Sequence, residues 1–98
     1  MLIELRKFGS ILVSRPNGRE AWLAFQPVLN TLKSGEMVEI DFVGVIALGP
    51  SWGDEFLSPI FEKYKDKVKL LNHDNASVKA TLQILGEIRE KEENEAKL

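Results

Sequence analysis

Several short segments of the chain alternate apolar and polar residues, which is typical of strands that are half buried. The clearest runs from Val38 to Phe42, and three other segments share the alternation or are rich in β-prone residues: residues 3–6, 11–13 and 67–70. In the segments that alternate, one side of the strand is apolar and the other is mostly charged. We therefore expect helices to cover only one face of the sheet.

The segments between these strands repeat apolar residues every three or four positions, the spacing of an amphipathic helix. Three helices are predicted: from the turn at residues 14–18 to Gly35, from Pro50 or Ser51 to Tyr64, and onward from Asn75. The sequence thus predicts a two-layer α/β fold in the order β-β-α-β-α-β-α. Its helices would pack on one face of a mixed sheet of four to five strands.

Composition changes near Gly86 and divides the chain into two regions. Residues 1–86 carry the strand and helix patterns and predict one α/β domain. Residues 87–98 contain three basic, five acidic and only three apolar residues, so they predict a polar helical extension or tail. The chain's formal net charge of −2 therefore belongs to the tail, and the domain is neutral.

Composition also excludes several classes of site. The chain has no cysteine and one histidine, which removes disulfide frameworks, thiol nucleophiles, Cys/His zinc sites and Ser-His pairs. A neutral domain does not favour nucleic acid or an anionic membrane as partner. Because the N-terminus lacks the continuous apolar stretch of a signal peptide, we expect a cytoplasmic protein. We expect no cofactor and, for want of Cys and His ligands, no metal.

The glycine-rich stretch before the second helix is the densest local motif. Gly44, four residues, Gly49, Pro50 and Ser51 come close to a phosphate-binding loop, but the lysine of that pattern is missing. The backbone amides at the helix start could still hold an anion. Alternatively, Ser51 and Asp54 form a capping box, with Gly49 as N-cap and Pro50 at the first helical position.

Two arginines flank the turn that opens the first helix. Arg15 and Arg19 oppose the helix dipole there, so they are expected to meet an acidic group or an anion. The internal alternative is a salt bridge to Glu20, Asp54 or Glu55.

These stretches together resemble the STAS-like domains of unknown function, relatives of the STAS domain of bacterial anti-sigma-factor antagonists. The resemblance covers about residues 10–85 and rests on three segments: residues 14–19, 38–45 and 48–56. It implies a regulatory module that is not an enzyme. Such a module binds a protein partner, of the kinase-like ATPase or anti-sigma type, through the loop and helix from Gly49 to Glu55.

In antagonist STAS domains, phosphorylation of a serine in this loop abolishes partner binding. Pro50 stands at the matching position here, and Ser51 lies one place on, so Ser51 is the candidate phosphorylation site. The predicted binding residues are Arg15, Arg19, Gly49, Pro50, Ser51, Asp54 and Glu55.

Two other functions stay open. A small ligand, nucleotide or anion could bind at the same helix N-terminus. An enzyme could use Asp41, Asp54 or Glu55 as acid or base, but no second functional group stands at the right spacing.

Overall fold

A computed structural model of the protein describes residues 1–96, and within that range it has an α/β fold, as predicted. The strands are β1 (Leu2–Glu4), β2 (Ile11–Leu12), β3 (Val38–Asp41), β4 (Ala47–Leu48) and β5 (Val68–Leu71). The helices are α1 (Arg15–Leu29), α2 (Pro50–Tyr64) and α3 (Ala76–Ala96). Two short 3-10 helices cover Leu5–Phe8 and Lys65–Lys67.

The strands form two separate sheets, and every strand pair is parallel. One sheet has the order β1-β3-β5, with Ile40 between Ile3 and Leu70, and the other pairs β2 with β4. The prediction of one mixed sheet of four to five strands was therefore wrong. An antiparallel β1–β2 pair would need a tight turn, but a 3-10 helix occupies that connection.

One strand and one helix also differ from the prediction. Strand β4 lies inside the glycine-rich stretch that the sequence predicts as a loop. The apolar run of this stretch lacks the alternation of a half-buried strand, so the pattern does not predict a strand there. Helix α1 begins at Arg15, inside the predicted turn, and ends at Leu29 instead of continuing to Gly35. At its start the Ser14 hydroxyl accepts a hydrogen bond of 3.1 Å from the Asn17 N–H and caps the helix.

Helices α2 and α3 follow the predicted pattern. The bounds of α2 are those predicted. Helix α3 continues through Ala96, so the polar extension that was predicted beyond Gly86 is helical as far as the structure describes it. Positions 97 and 98 lie outside the described residues. Across residues 1–96, the helices are too short or too polar to span a lipid bilayer.

The core is built around an aromatic cluster on α2. Phe56 is fully buried, and its ring centroid lies 4.9 Å from those of both Trp52 and Phe8. The rings of Phe25 and Trp22 pack edge-on against it at 5.8 and 6.4 Å. Contacts of this kind stabilise beyond simple area burial, by about 0.5–1.5 kcal/mol per pair. The cluster fixes α2 against α1 and the first 3-10 helix.

Two buried glycines let the first half of α2 lie between α1 and α3. A Cβ added at Gly18 of α1 would lie 2.8 Å from the Trp52 carbonyl oxygen, closer than real contacts allow. A Cβ added at Gly53 of α2 would lie 2.9 Å from the Leu85 Cδ1 atom. The crossing of α1 and α2 needs glycine, because the atoms opposite Gly18 are backbone, whereas the atom opposite Gly53 is the end of a side chain that can move.

Gly18→Ala should destabilise the protein by about 1–3 kcal/mol, because the added methyl forces α1 away from the backbone of α2. Gly53→Ala should cost less, since it meets the flexible end of Leu85. Gly86→Ala is the matched control. Its added Cβ would meet nothing closer than 4.0 Å, so it should stabilise α3 by about 0.5–1 kcal/mol. Urea unfolding measures all three, and equal stability of the Gly18 and Gly86 variants would contradict the packing described.

Candidate functional site

Side chains of α3 close one edge of the small β2–β4 sheet. The Leu48 N–H donates to the Ser77 hydroxyl at 3.0 Å, and the Leu48 carbonyl accepts from the hydroxyls of Ser77 and Thr81. Asn75 donates to the Ile46 carbonyl at 3.1 Å, while its own side-chain oxygen caps α3. The first turns of α3 thus take the place of a third strand beside β4.

The other edge of the small sheet, formed by β2, is open. Among the described residues β2 pairs only with β4. The Leu12 carbonyl accepts from the Gly49 N–H at 2.8 Å, so Leu12 points its peptide groups toward β4. Because successive residues of a strand point their peptide groups to opposite sides, those of Ile11 and Val13 face away from β4.

The outward face of this sheet is aliphatic. The inner face carries the buried Leu12, whereas Ile11 and Val13 are 64% and 48% exposed. Ile46, just before β4, is 67% exposed. Natural edge strands are usually protected by charges, proline or covering elements, and residues 11–13 have no charge and no proline. Adjacent exposed aliphatic side chains of this kind are typical of binding surfaces.

Val13 joins this face to the predicted site at the start of α2. A Cβ added at Gly49 would lie 3.2 Å from the Val13 Cα atom, so the two backbones are in contact. Gly49 is the N-cap of α2 and Pro50 its first residue, which confirms that prediction. The capping box was wrong: Ser51 is already inside the helix, and no side chain caps it.

The glycine-rich stretch does not form a phosphate-binding loop. Strand β4 occupies its middle, and the Gly49 N–H, which such a loop would turn toward the ligand, donates to the Leu12 carbonyl. Pro50 has no N–H to offer. Gly44 supports a turn instead, at φ 82°, where an added Cβ would lie 3.2 Å from the Arg6 Cβ atom.

Arg15 is engaged within the protein. Its Nη1 atom lies 3.0 Å from Asp54 Oδ2 and 3.0 Å from Glu55 Oε1, so one guanidinium bridges two carboxylates of α2. The hydrogen bonds that Arg15 donates to Asp54 and, with a smaller effect, to Glu55 raise the pKa of Arg15 above its usual range. The internal salt bridge considered from the sequence is therefore formed. Arg19 is exposed and makes no ion pair with any side chain that the structure describes.

Asp41, a candidate acid or base, stabilises a turn. Its Oδ1 atom accepts from the Asn72 side-chain amide at 2.9 Å and from the Val43 N–H at 3.0 Å. These two bonds, in that order, lower the pKa of Asp41 below its usual 3.8, with a smaller effect from the charge of Arg6. A general base or acid near neutral pH needs a raised pKa instead. Asp41 joins the ends of β3 and β5.

The chain was compared with protein-family models, with curated proteins and with solved structures, and none of them matches. Within the described part of the chain, no group of three or more acidic or histidine side chains is placed to hold a metal ion. The structure brings Gly49, Pro50, Ser51, Arg15, Asp54 and Glu55 to the neighbouring starts of α1 and α2.

Sequence reasoning missed the exposed aliphatic residues of this region. In the sequence, Ile11 and Val13 stand out only as members of a β-prone run. The sequence feature that could have indicated this surface is a predicted strand with no charge or proline to protect its edge. The sequence alone does not show that the edge is uncovered, because that depends on where α3 lies.

Replacing Asp41 with asparagine should lower the free energy of unfolding at neutral pH and make that free energy less dependent on pH. A lowered pKa in the folded state means that the unfolded chain binds the proton more tightly. The stabilising contribution is therefore present above about pH 4 and lost as pH falls through the folded-state pKa. Urea unfolding of wild type and Asp41→Asn at about pH 7 and about pH 3 measures this difference.

Asp66→Asn is the matched control for Asp41→Asn. Asp66 is exposed on the second 3-10 helix, and its side chain makes no hydrogen bond within residues 1–96. Its variant should follow wild type at both pH values. An Asp41→Asn variant with wild-type acid sensitivity would contradict the role assigned to Asp41.

Proposed function

We propose that this chain is a STAS-like regulatory module, without enzymatic activity, that binds a protein partner. The docking surface consists of Ile11, Val13, Ile46 and Pro50, with a polar rim of Arg15, Arg19, Ser51, Asp54 and Glu55. The observation that carries the proposal is the open edge of β2, where two exposed aliphatic side chains alternate with a buried one.

An extended segment of a partner would satisfy this edge in two ways. Its backbone would bond the outward N–H and C=O groups of Ile11 and Val13, as in strand addition. Its side chains would also cover the two exposed aliphatic groups, and each such side chain contributes about 1.5–3 kcal/mol when fully buried. A small apolar centre beside charged groups is the usual anatomy of a protein interface.

The rim offers a way to regulate docking. Ser51 is half buried in the first turn of α2, and Asp54 and Glu55 follow it at the helical spacings of three and four residues. A phosphate on Ser51 would bring a charge of about −1.5 to −2 beside these carboxylates and compete for Arg15. Phosphorylation of Ser51 would therefore loosen the start of α1 from α2 and oppose docking.

The partner class remains the one that the resemblance implies: a kinase-like ATPase or an anti-sigma-type regulator. Nucleotide or anion binding at the start of α2 is the alternative. It has less support, because only the backbone N–H groups of Ser51 and Trp52 are left there for a ligand. The Gly49 N–H is bonded to β2, and Pro50 has none. Asp54 and Glu55 would repel the ligand's charge, and Arg15 already serves both.

Val13→Lys should weaken partner binding by at least about tenfold, because a buried lysine without a partner charge is costly at an interface. The partner is first isolated with the wild-type chain from cells of the source organism and identified by mass spectrometry. Its Kd for each purified variant is then measured by calorimetry. Circular dichroism and Tm confirm that the variants fold.

Leu23→Lys is the matched control, since Leu23 is exposed on α1 outside the docking surface. It should bind the partner with wild-type affinity. The proposal fails if Val13→Lys and Ile11→Lys both retain full affinity, or if Leu23→Lys alone loses it.

A further inference from the structure

A second concave surface lies at the other end of α2. It is a groove of about 690 Å³ between the end of α2, β5 and α3. Its apolar lining is Phe61, Val68, Leu70 and Leu82, all only partly buried. The groove exists because β5 is an edge strand of the three-stranded sheet, and the described part of the chain has no further strand beyond it.

Arg89 of α3 stands in this groove with one guanidinium nitrogen that has no hydrogen-bond acceptor. Its guanidinium carbon lies 4.5 Å from the centre of the Phe61 ring, a cation–π contact. Its Nη1 atom is shielded from solvent and makes no hydrogen bond, and no carboxylate whose side chain the structure describes forms an ion pair with it. A shielded charged donor left without an acceptor is unfavourable, and a carboxylate is the acceptor that best matches a guanidinium.

The charges at the rim restrict which anion fits. Lys65, Glu62 and Glu92 also line the groove, so one positive and two negative groups surround Arg89. With Arg89 included, the described lining carries two positive and two negative groups, so a bound monoanion adds one negative charge and a dianion adds two. A phosphate dianion would face the two glutamates, which disfavour it.

We infer that this groove binds a single-chain organic carboxylate, of the medium-chain fatty acid class, with its carboxylate on Arg89 and its chain along Leu70 and Leu82. Arg89 and Leu82 are seven residues apart on α3, which places them about 10 Å apart along the helix. That length suits a chain such as decanoate. The inference does not depend on the proposed docking function, because the groove lies at the end of α2 away from the docking surface.

Titration of the chain with decanoate and with decanol tests the inference, because the two probes share a chain and differ in the charged group. Calorimetry on wild type should show decanoate binding at least about tenfold more tightly than decanol. In Arg89→Met this difference should disappear while decanol affinity stays unchanged, which shows that the groove is intact. Arg89→Lys should keep part of the difference, since it retains the charge but not the planar fork.

Lys33→Met is the control for loss of a positive charge elsewhere, since Lys33 does not line the groove. It should keep the full difference between the probes. Backbone amide shifts on decanoate addition should map to the end of α2, β5 and α3. Equal affinity of wild type for both probes, absence of decanoate binding, or a difference that survives in Arg89→Met overturns the inference. A dimer that buries the groove and resists decanoate would also overturn it. If Arg89→Met does not fold, the probe comparison in wild type and Arg89→Lys decides.

Discussion

The N–H and C=O of Leu48 are bonded by side chains of α3 instead of by another strand, and the organisation of the small sheet depends on this. A buried strand must satisfy both of its edges. Because Ser77 and Thr81 serve one edge of β4 and β2 serves the other, the sheet ends after two strands. The unsatisfied edge is thereby moved to β2, at the surface, where Ile11 and Val13 are exposed.

Close helix packing keeps this arrangement in place. Gly18 and Gly53 let α1 and α3 approach α2 from two sides. The Phe56 cluster below them makes the contact apolar. The start of α2 is thus fixed beside β2, where Arg15 bridges Asp54 and Glu55. The end of α2 is less completely covered, because β5 is an edge strand, and this leaves the groove at Arg89. The two proposed sites therefore arise from opposite ends of the same helix.

The sequence predicted the parts of the fold that local patterns determine. The alternation at Val38–Asp41 and the proline that opens α2 both marked their elements correctly. It did not predict β4, because a two-residue strand has no period to recognise, nor the division into two sheets, which depends on the 3-10 helix after β1. At the site, the sequence offers the pairing of Arg15 as one alternative. It does not predict the exposure of Ile11 and Val13, because that exposure depends on the position of α3, which covers one edge of β4 and leaves β2 at the surface.

Hydrogen exchange of the backbone amides, followed residue by residue by NMR on the isolated chain, tests the open edge of β2 most directly. The account predicts strong protection for the N–H groups of Leu48 and Gly49, which are bonded to Ser77 and Leu12. It predicts near-unprotected exchange for Ile11 and Val13, and protection of both once a partner is bound. Equal protection of all four amides in the isolated chain would show that the β2 edge is already covered and would contradict the account.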